Sequence, residues 1–541
     1  MDAREARYRV EVAKTLLGTG MVQAVRPDKA LRSLGVLHRW GPTSAAAYMG
    51  GAIRYPDRTA IVDERGTLTF AEMDRRTNAL AHELSRAGIG ERDGVAIMCR
   101  NHRGFVEATV ACSKLGTGML YLNTAFAGPQ IADVIEREGP VAVIYDEEFQ
   151  GLVQEGAEGK LRFIAGIGGD GDRGRANSSS DPRLDDLIAR GDESDLNPPI
   201  ERGRVIILTS GTTGKPKGAP RKQPDSMQPA AALFSKIPLK ARETTVIAAP
   251  MFHSWGLAHF NLALPLGSTI VLRRKFDPEE TLRAVAEHRA STLVVVPVML
   301  QRMLDLGEET IARYDTHALR VIALSGSSLP GDLATRAMDA FGEVVYNLYG
   351  STEVAWATIA TPADLRAAPG TAGRPPIGTI VKLLDEDGHV AGPGESGRIF
   401  VANELMFEGY TDGGGKEIVG GLMSTGDVGR FDEQGRLFVE GRDDEMIVSG
   451  AENVFPREVE DLLAAREDVE EVAVVGVPDE EFGQRLKAFV VRRDGAELSE
   501  QTVQEYVKKS LARYKVPREV VFLEHLPRNE TGKILKRELA S

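Results

Sequence analysis

Short apolar runs alternate with amphipathic stretches over residues 55–145. Val95-Ala96-Ile97-Met98 and Val141-Ala142-Val143-Ile144 have the length of buried strands, whereas residues 70–88 repeat their apolar positions at helical spacing. This alternation predicts βα units around a parallel sheet. Further strand-like runs follow at 246–249, 269–272, 293–296, 321–324 and 344–346, nearly all ending in glycine, proline or small polar residues. In parallel α/β sheets ligands collect beyond the carboxyl ends of strands, so the chemistry is expected in those loops. From 378 to 440 the turn sequences DEDG, PGESG and DEQG separate short strands such as 398–401 and 437–440, which predicts an antiparallel subdomain. After residue 441, runs at 472–477, 488–491 and 520–523 predict a small α+β domain. The expected fold class is α/β, with a large N-terminal domain of layered, parallel-rich sheets and helices (1–441) and a small C-terminal domain (442–541).

Residues 1–40 form an extension of different character. Ala6, Val10, Ala13, Leu17 and Met21 recur at helical spacing, and eight basic residues (Arg4, Arg7, Arg9, Lys14, Arg26, Lys29, Arg32, Arg39) outnumber four acidic ones (Asp2, Glu5, Glu11, Asp28). Charges interrupt any apolar core, so this is no secretory signal. An amphipathic helix here either packs on the protein or rests on an anionic membrane surface.

The whole chain, 541 residues with a net charge of −13, argues against a nucleic-acid partner, because phosphate backbones are held by clustered lysine and arginine. No apolar run approaches the roughly 20 residues of a membrane span. Two cysteines, Cys99 and Cys112, each in apolar sequence, suit buried thiols in a reducing compartment. A cytoplasmic protein is expected, with peripheral contact at the inner membrane face and homodimer formation left open.

Residues 209–218, TSGTTGKPKG, follow the apolar run 205–208. Small residues on a turn bring many backbone N–H groups together and lysine adds positive charge, so a polyphosphate is the natural guest. The stretch is not the P-loop of NTPases. Gly211 and Gly214 are separated by two residues instead of four, and Pro216 follows Lys215 where a hydroxyl residue should be and where proline disfavours helix for its predecessor. A literal GxGxxG at Gly166, Gly168 and Gly171 runs into charged and serine-rich sequence with no apolar period, and reads as an exposed loop instead of a dinucleotide site.

With Lys217 included, the loop resembles the phosphate loop of the adenylate-forming superfamily of acyl-CoA synthetases, aryl-acid ligases, luciferases and peptide-synthetase adenylation domains. Five further blocks stand in that family's order: PMFHSWG (250–256), SGSSLP (325–330), LYGSTE (348–353), STGD (424–427) with GRDDEMIVSGAENVFPREVE from residue 441, and PRNETGKILKREL from residue 527. KLGTGMLYLN (114–123) extends the resemblance towards the N-terminus.

The resemblance implies ATP, Mg2+ and coenzyme A as small-molecule partners, and it implies roles. Thr209, Ser210, Gly211, Thr212, Thr213, Gly214 and Lys217 would cradle the phosphates; Gly326, Ser327, Asn347, Gly350 and Thr352 would line the nucleotide, with Tyr349 as the face for adenine. Asp427 would hold the ribose hydroxyls beside Arg442, where the residue alone reads as a carboxylate capping a turn. Thr209 and Glu353 would bind magnesium, for which hard oxygen ligands are suited. His253, by itself a core histidine, would face the reacting carboxylate, and Lys533 would stabilise charge building at the α-phosphate. Asp444 would be the hinge of a mobile C-terminal domain, and Gly450 and Ala451 would line the passage for pantetheine. Trp255 begins an apolar segment behind His253 that suits a medium- or long-chain fatty acid. Leu348, Val448 and Ala451 depart from the residues many members carry. The rivals are an enzyme with another acceptor or an aryl acid, a luciferase-like oxidation, and a non-catalytic sensor.

Overall fold

In the computed structural model of the protein, the described residues are 3–22, 26–166, 180–210, 216–221, 223–385, 387–443, 447–449, 452–454, 456–479, 483–511, 515–529 and 532–540. Two parallel-rich sheets organise the N-terminal part. The first has eight strands in the order Thr358–Ala360, Val345–Tyr349, Val321–Leu324, Thr292–Val295, Thr244–Ile247, Thr269–Leu272, Thr59–Asp63 and Gly66–Thr69. Its six inner strands run parallel and both edges are antiparallel. The second has six strands, Leu161–Gly166, Ala142–Asp146, Gly94–Met98, Gly118–Tyr121, Val205–Ser210 and Pro216–Arg221, with only the last antiparallel. The expected runs all became strands, because β-branched sequences of four to six residues fit a sheet covered on both faces.

The helix Phe70–Arg86 starts on a capping box made by Thr69 and Glu72, and it packs on the helix Arg103–Leu115. The second of these helices touches strands of both sheets and is buried along almost its whole length, charged residues included. Those charges are paired: Arg103 with Asp63 at 2.5 Å, Glu107 with Arg76 at 2.6 Å and Lys114 with Asp74 at 2.7 Å. A buried charge without such a partner would cost several kcal/mol. Cys99 and Cys112 are both buried and unbonded.

The antiparallel subdomain is a five-stranded sheet, Ile380–Leu384, Ser396–Ala402, Leu422–Phe431 and Ile418–Val419, with Leu437–Arg442 also paired to Leu422–Phe431. Asp427 therefore lies inside a ten-residue strand opposite Arg442, and not on the turn its neighbours suggest. Gly426, at φ +80°, gives that strand its local irregularity. In the C-terminal part Val469–Asp479 pairs antiparallel with Gly483–Arg492, and Glu519–Leu523 joins parallel. Its own core contains Val459, Leu463, Val474, Val490, Val503 and Val507.

The N-terminal extension is helical, α1 at Ala3–Gly18 and α2 at Pro27–Trp40, followed by α3 at Ser44–Arg54. Helix α1 packs on the helix Gln228–Phe234, as one of the two readings had it, but by a different face. Val12 and Thr19 are buried and Leu16 meets the main core, while Val10, Ala13 and Leu17 of the expected apolar stripe are exposed. Tyr8 seats the helix: its hydroxyl donates to Glu404 at 3.3 Å beside Gly378, where a Cβ would lie 2.6 Å from that hydroxyl.

Candidate active site

The stretch 209–218 spans two antiparallel strands, with Ser210 opposite Pro216. It therefore leads strand into strand, and a helix N-terminus of the P-loop kind does not follow it. Gly211, Thr212, Thr213 and Gly214 lie outside the described residues, as do Asp444, Gly450 and Ala451; Thr209 and Ser210 are described as backbone only. Lys217 lies on the second strand, paired with Asp412 at 3.2 Å and above the ring of Tyr410.

One cavity of about 2170 Å3 brings together Lys217, His253, Gly326, Ser327, Asn347, Tyr349, Gly350, Thr352, Glu353, Asp427, Arg442 and Lys533. They arrive from the carboxyl ends of parallel strands, from the antiparallel sheet and from the C-terminal domain. Gly350 turns the chain so closely that a Cβ would lie 2.4 Å from the Ala355 carbonyl oxygen. The Tyr349 hydroxyl donates to Asp427 Oδ2 at 2.5 Å, and Arg442 Nε lies 3.6 Å from Asp427 Oδ1. Burial, then the Asp427 charge, pushes the Tyr349 hydroxyl well above its ordinary value, so it stays a donor. Burial also raises Asp427, against the pull of Tyr349, Arg442, Lys416 and Lys533. Asn347 keeps a buried Oδ1 with no partner in the cavity wall, an acceptor waiting for a donor.

Glu353 is 8% exposed and accepts a hydrogen bond from the Tyr410 hydroxyl at 2.7 Å. Burial alone would raise its carboxyl, but hydrogen bonds from Tyr410 and Ser351 and the charge of Lys416 hold it below the usual range. His253 is the N-cap of the helix Ser254–Leu266. Its ring lies against Phe252, its Nε2 has no partner, and burial pushes it down to about 4, leaving a neutral imidazole that can hydrogen-bond a carboxylate without adding charge.

Lys533 reaches this cavity from the far end of the chain. Its backbone is held in a turn by Asn529, whose Oδ1 accepts from Lys533 N at 2.8 Å. Gly532, at φ +77°, packs so tightly on the N-terminal domain that a Cβ would lie 2.2 Å from Val298 Cγ1. The lysine is therefore delivered over the cleft by a backbone contact only glycine allows.

Three cavity residues were missed from the sequence. Arg221 is half-buried, donates to the Thr352 carbonyl, keeps a buried, unpartnered Nε and is pushed down by desolvation to about 10, partly offset by Glu353. Tyr410 grips Glu353, and Lys416 lies close enough to Glu353 and Asp427 for its charge to act on both. The only sequence signal was weak: Lys416 ends the glycine run 413–415, a cation on a chain that can approach a phosphate closely.

A family model described as AMP-binding enzyme matches residues 51–411, and the AMP-binding enzyme C-terminal domain matches 458–533. The chain belongs to the adenylate-forming superfamily. Within it, the chain is 34% identical to a 2-succinylbenzoate–CoA ligase of Geobacillus kaustophilus, over 90% of this chain and 95% of that one. It is 30% identical to the long-chain-fatty-acid–CoA ligase FadD13 of Mycobacterium tuberculosis, over 87% and 92%. Among solved structures it resembles o-succinylbenzoate CoA synthetase from Bacillus subtilis in complex with an acyl-adenylate, at a TM-score of 0.79 and 27% identity, covering 92% of this chain and 98% of that one. Of the departures from this superfamily's usual residues, Leu348 is a buried core residue on the strand that delivers Tyr349. The Val448 side chain and Ala451 lie outside what is described.

Proposed function

We propose that the chain joins a medium- to long-chain fatty acid to coenzyme A through an acyl-adenylate, releasing pyrophosphate and then AMP. Acid–CoA ligase chemistry of this kind is supported by the family match and by the two ligase relatives. The fatty acid is supported by one observation: the cavity holding Lys533, Asp427 and His253 continues past Trp255, Leu257, Leu262 and Leu264 as far as α2. Its volume exceeds the roughly 300–1,000 Å3 of ordinary ligand sites. Trp255 has spent its ring N–H on the Val295 carbonyl at 3.1 Å, so it offers the cavity only apolar surface. Each methylene buried there gains about 0.8 kcal/mol, and affinity should climb with chain length.

In the first step the acid's carboxylate, oriented by neutral His253, attacks the α-phosphate of ATP. Lys533 stabilises the charge that develops there, and Tyr349 and Asp427 fix the nucleoside, with Asn347 Oδ1 free to accept from an adenine amino group. Glu353, kept ionised and buried, fits as the protein's ligand for Mg2+, with Thr209 as the second residue; the ion would neutralise phosphate charge. In the second step the coenzyme A thiol displaces AMP. The C-terminal domain, expected from the sequence to begin at residue 442 but following a strand of the antiparallel sheet that still includes Arg442, would turn about Asp444 to expose a passage at Gly450 and Ala451, where the alanine methyl would narrow the way.

A second reading, an aryl acid as substrate, is favoured by the 34% identical relative that acts on 2-succinylbenzoate. Pyrophosphate release measured over acetate, octanoate, palmitate and a cinnamate-type acid, with and without coenzyme A, separates the two. A rise in kcat/KM from acetate to palmitate is expected, whereas preference for the aryl acid would replace this reading with the second. Pyrophosphate release without thioester formation would point to another acceptor.

A further inference from the structure

The twelve large aliphatic side chains exposed among the described residues are unevenly spread. Six of them, Val10, Leu17, Val22, Leu31, Leu34 and Leu37, fall on α1, α2 and the segment between them. Helix α2 packs its opposite side, Val36 and Trp40, against Ala45, Ala46 and Met49 of α3. Its leucines are therefore left outside a core that is already complete. Such a patch on an isolated protein is unusual and marks a contact surface.

The charge around it is positive on balance, although Arg7, Arg9 and Arg26 each pair with an acid of the same segment, Glu11, Glu5 and Asp28. Eight basic and four acidic residues leave the first forty positions at +4 in a chain whose total is −13. Arg7, Arg9, Arg26, Arg32 and Arg39 are all exposed. Leucines flanked by arginines on a surface helix match the two components of an anionic bilayer, an acyl interior beneath a negative headgroup layer. No helix of the described residues is long and apolar enough to cross a membrane, so the contact is peripheral.

The patch also adjoins the reaction site. Leu34 and Leu37 are 62% and 44% exposed, yet with Met21, Val22 and Ser33 they line the same cavity that holds His253 and Lys533. They form its rim. We propose that α2 and the exposed face of α1 dock on an anionic lipid bilayer, and that the rim at Leu34 and Leu37 is the entrance by which the acid passes from the bilayer towards His253. The entrance role rests on the reading of the substrate as a long apolar acid; the docking surface does not.

The test uses the full chain and vesicles of phosphatidylcholine with or without phosphatidylglycerol. Co-sedimentation is expected with the anionic vesicles only and is expected to weaken as salt is raised. Two double variants at exposed positions outside the cavity, Leu17→Glu with Leu31→Glu and Arg32→Glu with Arg39→Glu, should each lower partition onto those vesicles at least about tenfold. Both should adenylate dissolved octanoate at the wild-type rate but lose turnover of palmitate supplied within anionic vesicles. Wild-type protein that fails to bind anionic vesicles, or variants that bind as well as wild type, would overturn the docking surface. A wild-type dimer dispersed by the leucine variant, without vesicle binding, would assign the face to a second copy and overturn it too. Vesicle binding without palmitoyl-adenylate formation would overturn the entrance and the substrate reading while upholding the docking. Palmitate activation without vesicle binding would uphold the substrate reading and overturn both the docking surface and the passage of the acid from the bilayer.

Discussion

Replacing Gly532 by alanine tests whether the contact that delivers Lys533 belongs to the adenylation step. At φ +77° an L-residue costs about 1–2 kcal/mol before any contact is counted. The new methyl would lie 2.2 Å from Val298 Cγ1, more than about 1 Å short of the roughly 3.5–4.0 Å at which carbon atoms pack. Rotating the valine relieves only part of the overlap, because its Cβ would still be only 3.1 Å away. While the methyl keeps its place the turn must back off by about 1 Å and carry the lysine with it, and a misplacement of that size costs on the order of a hundredfold in rate. ATP–pyrophosphate exchange with the preferred acid should fall by about that factor in Gly532→Ala. Thioester formation from synthetic acyl-adenylate and coenzyme A should stay within about twofold of wild type, since no group in that step depends on the docked turn. Val298→Ala in the same chain should restore part of the exchange rate by relieving the overlap. Equal losses in both half-reactions, or an unchanged exchange rate, would refute the reasoning, because the turn would then serve general stability or no step at all.

Lys416→Ala should lower pyrophosphate exchange roughly ten- to a hundredfold, as expected for one charge aimed at phosphate, while Lys416→Arg keeps most of it. Because Lys416 is half-buried at a loop, its urea midpoint should hardly move, and a large fall there would make it a structural residue instead. Burial pushes His259, whose ring nitrogens are both unpartnered, down to about 3 from an ordinary 6.5. Its neutral form is stable above about pH 6.5, and the unfolded chain gains a proton as pH falls towards 3, so stability is lost on acidification. The loss at about pH 5.5 is about 1.4 kcal/mol. His259→Leu should remove that part of the pH dependence in urea titrations at about pH 7.5 and pH 5.5; an unchanged dependence would contradict it. Trp255→Ala should shift the acid-length optimum in kcat/KM, and an identical length profile would take Trp255 out of the acyl wall.

The local elements were legible in the sequence because their causes are local. Runs such as 321–324 and 269–272 became strands with the expected limits, and the capping box at Thr69 and Glu72 starts the helix that periodicity predicts. The phosphate stretch could be separated from a P-loop because Pro216 disfavours helix at Lys215 before it and stands where a hydroxyl residue should be, and the structure continues it as a strand. Asp427 shows where such reading stops. Glycine before it suggested a turn, but the pairing of Asp427 with Arg442 across two strands prevails, since ladder hydrogen bonds outweigh one residue's preference.

What spacing could not decide is which side of a helix is covered. Helix α1 carries more than one apolar row, and the stripe with the more regular period, Val10, Ala13 and Leu17, is the one left outside. Tyr8, Val12 and Leu16 turn inward because the groove beside the helix Gln228–Phe234 accepts a tyrosine over Gly378, a complementarity between segments hundreds of residues apart. Arg221, Tyr410 and Lys416 were illegible for the same reason. Each is unremarkable among its sequence neighbours, and only the packing of the antiparallel sheet against the parallel ones sets them around Glu353. The sequence by itself determined the elements, the order of the chemical blocks and the family; the tertiary structure decided which faces are buried and which charges meet, because burial and Coulomb energy depend on distances in space and not along the chain.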